Sequence, residues 1–191
     1  MIRGLIVLFG LVVFAWLLEI GDALIPGRWL DSQGIRPHTI AGLWGILFAP
    51  FLHAGFTHLL ANTVPFLILG FLVMLRGLGT FLGVSLLVIV FGGLGVWVFG
   101  SAYTDHIGAS GLIFGYIGYL LARGYFERGF WSIVIALLVA VIYGSALWGI
   151  VPGDPRISWQ GHLFGFLAGF GTAWAGSTGG RPARSGVKQS F

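Results

Sequence analysis

The segment GASGLIFGYIGYLLAR, residues 108–123, decides how the chain is read. It is apolar over the length of a helix, closes on Arg123, and sets glycine at positions 111, 115 and 118. Small residues spaced by three or four line one face of a helix and let a second helix approach backbone to backbone, a packing device of membrane-spanning segments. The Ser110 hydroxyl stands at the start of this run. Polar groups inside lipid are costly, which makes them candidates for function by default.

The rest of the chain demands the same solvent. Of 191 residues, 57% are hydrophobic and 8% charged, against about 25% charged in ordinary soluble domains. A span takes about 20 apolar residues, so the length accommodates six. The apolar runs place them near residues 4–18, 57–75, 80–99, 108–123, 130–150 and 158–174, which predicts an all-α polytopic membrane protein. The first run is expected to be a retained span, because its basic flank is minimal and Gly21-Asp22-Ala23 is a poor cleavage site. Residues 40–56, broken by Gly42, Gly45, Pro50 and Gly55, are expected to form a partly embedded, irregular connector. The membrane domain then covers residues 1–176, and 177–191 form a basic, flexible tail.

Orientation follows from the basic residues. With the N-terminus inside, the inner segments hold Arg3, Arg76, Arg123, Arg128, Arg181, Arg184 and Lys188, and the outer ones only Arg28, Arg36 and Arg156. The positive-inside rule therefore predicts that both termini are cytoplasmic. The basic residues form no stripe, which argues against nucleic acid. The absence of cysteine excludes disulfides, thiolate metal sites and a cysteine nucleophile.

In this topology the second, fourth and sixth spans start at the outer face, and each carries polar residues in its first turns. They are His58 and Asn62 with His53 just before, then Ser110, then His162. At 1.5 Å per residue these lie in one layer. His58 and Asn62, four apart, share a helix face, and Gly161, Gly165 and Gly169 match the glycines of the fourth span. A serine hydroxyl becomes a nucleophile when a neutral imidazole takes its proton. An oxyanion needs donors, which His58, Asn62 and the Ser110 amide at a helix N-terminus can supply. No carboxylate falls on these faces, so the pattern is a Ser/His dyad without a cofactor. His53 and His58 lack the acidic or thiol partners of a metal site. Blander readings stand beside this one: a span serine often bonds the carbonyl four residues back, and membrane histidines and glycines often serve helix packing.

His53-x4-His58-x3-Asn62, Gly108-Ala109-Ser110-Gly111 and Gly161-His162-x2-Gly165-x3-Gly169, in this order and on these spans, resemble the rhomboid intramembrane serine proteases. The resemblance covers about residues 1–176 and is to the minimal six-span bacterial form. It implies Ser110 as nucleophile, His162 as general base, and His58 and Asn62 as oxyanion donors, with His53, Gly108 and Gly111 as structural support. Many members carry a tyrosine that packs on the catalytic imidazole where this chain has Phe114, so the ring is kept and the hydroxyl lost. Arg28-Trp29 reverses a Trp-Arg pair of the family, and no role is carried over to it. The resemblance further implies a multi-pass protein of the bacterial cytoplasmic membrane, surrounded by the lipid bilayer, that cleaves single-span or polytopic membrane proteins near the outer face. The fifth span, Trp148 and the loop 149–157 are expected to form the substrate gate. The rival readings are a catalytically inactive relative that binds membrane clients, and a transporter of another fold, which would show intramembrane carboxylates.

Overall fold

The apolar runs all become helix in the computed structural model, which describes residues 1–154 and 157–179. In chain order these are α1 (Ile2–Leu24), α2 (Ile40–Phe48), α3 (Phe56–Met74), α4 (Leu78–Leu87), α5 (Gly93–Phe99), α6 (Ser110–Glu127), α7 (Phe130–Tyr143) and α8 (Trp159–Gly179). A π-helical turn, Val88–Gly92, joins α4 and α5 into one helix, Leu78–Phe99, and 3-10 turns extend α7 to Ile150. Among the described residues the only β pairing is a single bridge between Ile35 and His106.

Four of these helices are long and apolar enough to cross a membrane: α1, α3, the joined α4–α5 and the extended α7. The apolar runs predict six spans, and α6 and α8 are the two that fall short in apolarity. For α6 the reason is its place in the fold. Twelve of its 18 residues are buried, so its neighbours are other helices, and Tyr116, Tyr119 and Arg123 find protein partners there. Tyr116, fully buried, shares a hydrogen bond of 2.7 Å with Ser85 of α4.

Contact register gives the helix directions. Gly165 abuts the Gly111 carbonyl and Gly169 the Gly115 carbonyl, so α6 and α8 run parallel. His58 lies against Gly108 and the Phe66 ring centroid is 5.9 Å from that of Tyr116, so α3 is parallel to both. In α1, Gly4 meets Met74, Leu8 meets Gly70, and Trp16 donates to Thr63, so α1 runs opposite to α3. Helices α3, α6 and α8 therefore begin at the same end of the bundle. Leu8, Leu69, Val73, Phe81, Tyr116 and Ile117 form the core beneath it.

The connector is more regular than its glycines and proline led one to expect. Thr39 caps α2, its Oγ1 accepting the Gly42 amide at 3.0 Å, and Gly42 and Gly45 pack directly on the backbone of Arg36 and Gly34. These glycines allow close approach instead of breaking the helix, and Pro50 sits harmlessly in the 3-10 turn Ala49–Phe51 that follows. Helix α1 runs on to Leu24 and buries Glu19 and Asp22 at its end. Arg28 reaches Glu19 at 3.6 Å, and the Leu30 amide donates to Asp22 at 2.8 Å. Helix α8 continues to Gly179. Arg156, Arg181, Arg184 and Lys188, and with them residues 180–191 of the expected tail, lie outside the described residues.

Candidate active site

The parallel starts of α3, α6 and α8 surround an open cavity of about 870 Å³, lined by His58, Asn62, Ser110 and His162 together. Ser110 is the first residue of α6. Its N–H is one of the four at a helix start without an intrahelical acceptor, and no helical carbonyl lies four residues behind it. The hydroxyls of Thr63, Ser85 and Thr172, inside their helices, do take that carbonyl, at 2.6 to 2.8 Å. Ser110 thus escapes the bland role that these other hydroxyls fill. Its approach is set by Gly108, at φ +110°, where a left-handed turn and a neighbouring imidazole both exclude a side chain. A Cβ there would stand 2.8 Å from His58 Nε2 and 3.6 Å from Asn62 Nδ2.

The imidazoles are oriented by backbone. His58 Nδ1 accepts the Ala54 amide at 3.3 Å, which places the proton on Nε2, the nitrogen beside Gly108. Asn62 donates one N–H to the His58 carbonyl at 3.2 Å and keeps a second donor. His162 Nδ1 lies 3.0 Å from the Gly149 carbonyl. A carbonyl only accepts, so Nδ1 carries the proton and Nε2 is left with its lone pair. The Phe114 ring stacks on this imidazole, centroids 4.0 Å apart and planes 5° from parallel. No direct hydrogen bond joins Ser110 to His162 among the described residues. Both residues line the same cavity.

His53 is buried away from the cavity. Its Nε2 accepts the Ala109 amide at 3.3 Å and its Nδ1 faces the Phe51 carbonyl at 3.4 Å, tying the end of the connector to the start of α6. Burial, with the nearby His58 adding to it, lowers its pKa to about 4, against the opposing bond to Phe51. Gly111 backs onto the Gly161 carbonyl, so the Ser110 and His162 turns touch through backbone. Among the described residues no group of three His, Cys, Asp or Glu converges as a metal site.

A family model described as the Rhomboid domain matches residues 41–178. The chain belongs to the rhomboid family. An uncharacterised protein of Mycobacterium tuberculosis is 47% identical over 182 residues, covering 91% of this chain and 75% of that one. The putative rhomboid protease YdcA of Bacillus subtilis is 34% identical over 150 residues, 74% of this chain and 72% of its own. The rhomboid protease GluP of the same organism is 29% identical over 174 residues, 86% of this chain and 32% of its own. The rhomboid match runs from α2 into α8 and so includes His58, Asn62, Ser110 and His162.

Three groups in this neighbourhood belong to no motif in the sequence. Gly149 acts through its carbonyl, and a backbone acceptor leaves no mark in a sequence. Asp31, in the loop after α1, lies close enough to His58 to affect its own titration. Burial and then Asp22 raise its pKa, while Arg28 and His58 lower it. His106 is buried four residues before Ser110, and the only signal was a histidine beside the serine motif.

Proposed function

We propose that this rhomboid protein is an intramembrane serine endopeptidase with Ser110 as nucleophile and His162 as general base. The observation that carries this reading is the single cavity holding Ser110, His162, His58 and Asn62, in which His162 is held with Nε2 as acceptor and His58 with Nε2 as donor. Substrate closes the gap between the dyad: Ser110 gives its proton to His162 Nε2 as Oγ bonds to the peptide carbonyl carbon. The carbonyl oxygen, now anionic, takes hydrogen bonds from His58 Nε2, Asn62 Nδ2 and the Ser110 amide. The C–N bond breaks as His162 returns the proton to the leaving nitrogen. Water then attacks the ester, giving its proton to His162, and the acid product leaves with Ser110 restored.

Six spans, an N-terminus in the cytoplasm and a site near the outer face of a bacterial cytoplasmic membrane complete the proposal. Its substrates are single-span or polytopic membrane proteins cut near that face. The extended α7 and the loop behind it, from Trp148 onward, admit them. Trp148 is 78% exposed, and α7 is the least buried of the apolar helices; Pro155 and Arg156 of this loop lie outside the described residues. The catalytically inactive client-binding reading is less favoured because both members of the dyad face the cavity.

The test is reconstitution in liposomes with a single-span reporter bearing small residues beside its span. The parent is expected to cleave it and to react with a fluorophosphonate, and Ser110→Ala to do neither. Cleavage that persists in Ser110→Ala, or a parent that neither cleaves nor reacts, overturns the assignment.

A further inference from the structure

Ser110 and His162 each have, four residues upstream, a side chain that is hydrogen-bonded to the other's counterpart. His106 precedes Ser110 and Ser158 precedes His162, and His106 Nδ1 lies 2.6 Å from Ser158 Oγ. The donors along this link can be ordered. Ser158 Oγ accepts the Gly161 amide at 3.1 Å, capping α8. Thr104 Oγ1 donates to the Ser101 carbonyl at 2.8 Å, which leaves it to accept from His106 Nε2 at 2.9 Å. His106 therefore carries its proton on Nε2, and its Nδ1 accepts the Ser158 hydroxyl proton. Each group in the chain is satisfied in one direction only.

His106 is itself held by its surroundings. It is 7% exposed, and its backbone exchanges two hydrogen bonds of 3.0 Å with Ile35 in the loop before α2. Two residues on, the Gly108 amide donates to the Ala49 carbonyl at 2.8 Å. The approach to Ser110 is thus fixed to the connector, while α8 is held to that approach at its N-terminal turn through Ser158. Below this point α6 and α8 are in backbone contact at Gly111, Gly165, Gly115 and Gly169. Above it the chain runs into the loop after α7, and the His106–Ser158 bond is a side-chain tie across the two helix starts, one turn before the Phe114–His162 stack.

We propose that His106 is a positioning residue for the reaction, acting through Ser158 to hold His162 in register with Ser110. The proposal rests on the dyad assignment above. It also accounts for the Ser/His pair that is in direct contact, His106 with Ser158, lying one turn before the pair that does the chemistry. Ser158 is committed to capping α8 and to His106, whereas Ser110 Oγ faces the cavity without a competing helical carbonyl.

The experiment compares kcat, KM and the pH profile of reporter cleavage in liposomes for the parent, His106→Phe, His106→Asn, Ser158→Ala and the double variant His106→Phe/Ser158→Ala. An asparagine amide oxygen occupies about the place of Nδ1 and accepts the same hydroxyl. His106→Phe is expected to lower kcat about 10- to 100-fold with KM within about twofold of the parent, and His106→Asn to recover most of it. The double variant is expected to be no slower than the slower single one, because both remove one link. The acid limb of kcat/KM, which reports the base, is expected to move in His106→Phe. Parent-like kcat in His106→Phe, additive losses, or a reduced thermal midpoint with kcat and acid limb unchanged, overturns the positioning role. Fluorophosphonate labelling of the parent keeps the two claims apart: a labelled, cleaving parent with indifferent His106 variants sinks this inference alone, and an unlabelled, inactive parent sinks the dyad assignment beneath it.

Discussion

Helices α6 and α7 are consecutive in the chain and joined by two residues, yet they are held in opposite ways. Twelve residues of α6 are buried, and three of its glycines meet the backbone of α8 or the side chain of Val88. In α7 only Val139 is buried, and Leu137, Leu138, Val141 and Ile142 face outward at 54 to 82% exposure. The helix that presents Ser110 is enclosed by its neighbours, and the one beside it has one fully buried side chain, Val139, with Ile135 and Tyr143 half-buried against the core, Ala136 and Ser132 against Gly124, and an anchor at its inner end. There Arg123 is bidentate to Glu127 at 2.9 and 2.7 Å, and Ser132 of α7 donates to Glu127 at 2.8 Å. Catalytic geometry tolerates little looseness, while a substrate helix must find a way in. On the function proposed above, these two demands fall on different helices.

The comparison is broken most severely by adding bulk where α6 meets α8. A Cβ at Gly169 runs into the Gly115 carbonyl, and backbone cannot move aside as a side-chain tip can. Gly169→Leu is expected to abolish cleavage and to destabilise the protein by about 3 kcal/mol, read by thermal unfolding in detergent. The reverse perturbation is to immobilise α7. Since the chain has no cysteine, a cysteine pair introduced across α3 and α7 can be cross-linked without competition. Cleavage is expected to fall more than about tenfold on cross-linking and to return on reduction, with fluorophosphonate reactivity of Ser110 retained. Full cleavage in the cross-linked state refutes α7 as the gate.

How much of this was legible in the sequence depends on the kind of signal. The all-helical membrane class followed from apolar run lengths, and the grouping of His58, Asn62, Ser110 and His162 from polar residues placed at the starts of alternate spans. The regular helix in the connector was missed, because Gly42 and Gly45 read as breakers when their contact partners, Arg36 and Gly34, are unknown. Carboxylates Glu19 and Asp22 read as the end of a span, since nothing local reveals that Arg28 and the Leu30 amide fold back onto them. The Gly149 carbonyl and the His106–Ser158 link escaped for the same reason: each joins residues far apart in the chain, through a backbone atom or a common polar side chain without periodicity.

Smaller effects sharpen the contrast. His53 ties the connector to the start of α6, and burial lowers its pKa from 6.5 to about 4. Its folded-state pKa lies below the unfolded one, so this contribution is complete above pH 6.5 and is lost as the pH falls through that interval toward 4. Over the window it amounts to about 3 kcal/mol. Denaturation against pH is expected to show that loss in the parent and a flatter profile in His53→Asn. Phe114→Tyr is expected to change kcat less than about threefold, because the stacked ring on His162 is retained, whereas Phe114→Ala is expected to cost about tenfold with the acid limb of the pH profile displaced.

The finest distinction lies within α7 itself, between two valines two residues apart. Val139 is 1% exposed and Val141 82%, so truncating the first opens a space inside the protein, and truncating the second only exchanges one apolar contact with lipid for another. Val139→Ala is expected to destabilise by about 1 kcal/mol through the lost packing. Val141→Ala is expected to stay within about 0.5 kcal/mol of the parent, since surface changes away from special features rarely exceed that. The kinetic consequence should run the other way from an ordinary core mutation: if α7 is the gate proposed above, loosening its one fully buried side chain eases opening, so cleavage by Val139→Ala is expected to be undiminished or faster while its thermal midpoint falls. A Val139→Ala variant that loses stability and activity in proportion would mean that α7 is part of the rigid frame, and that the difference between the two helices is one of exposure alone.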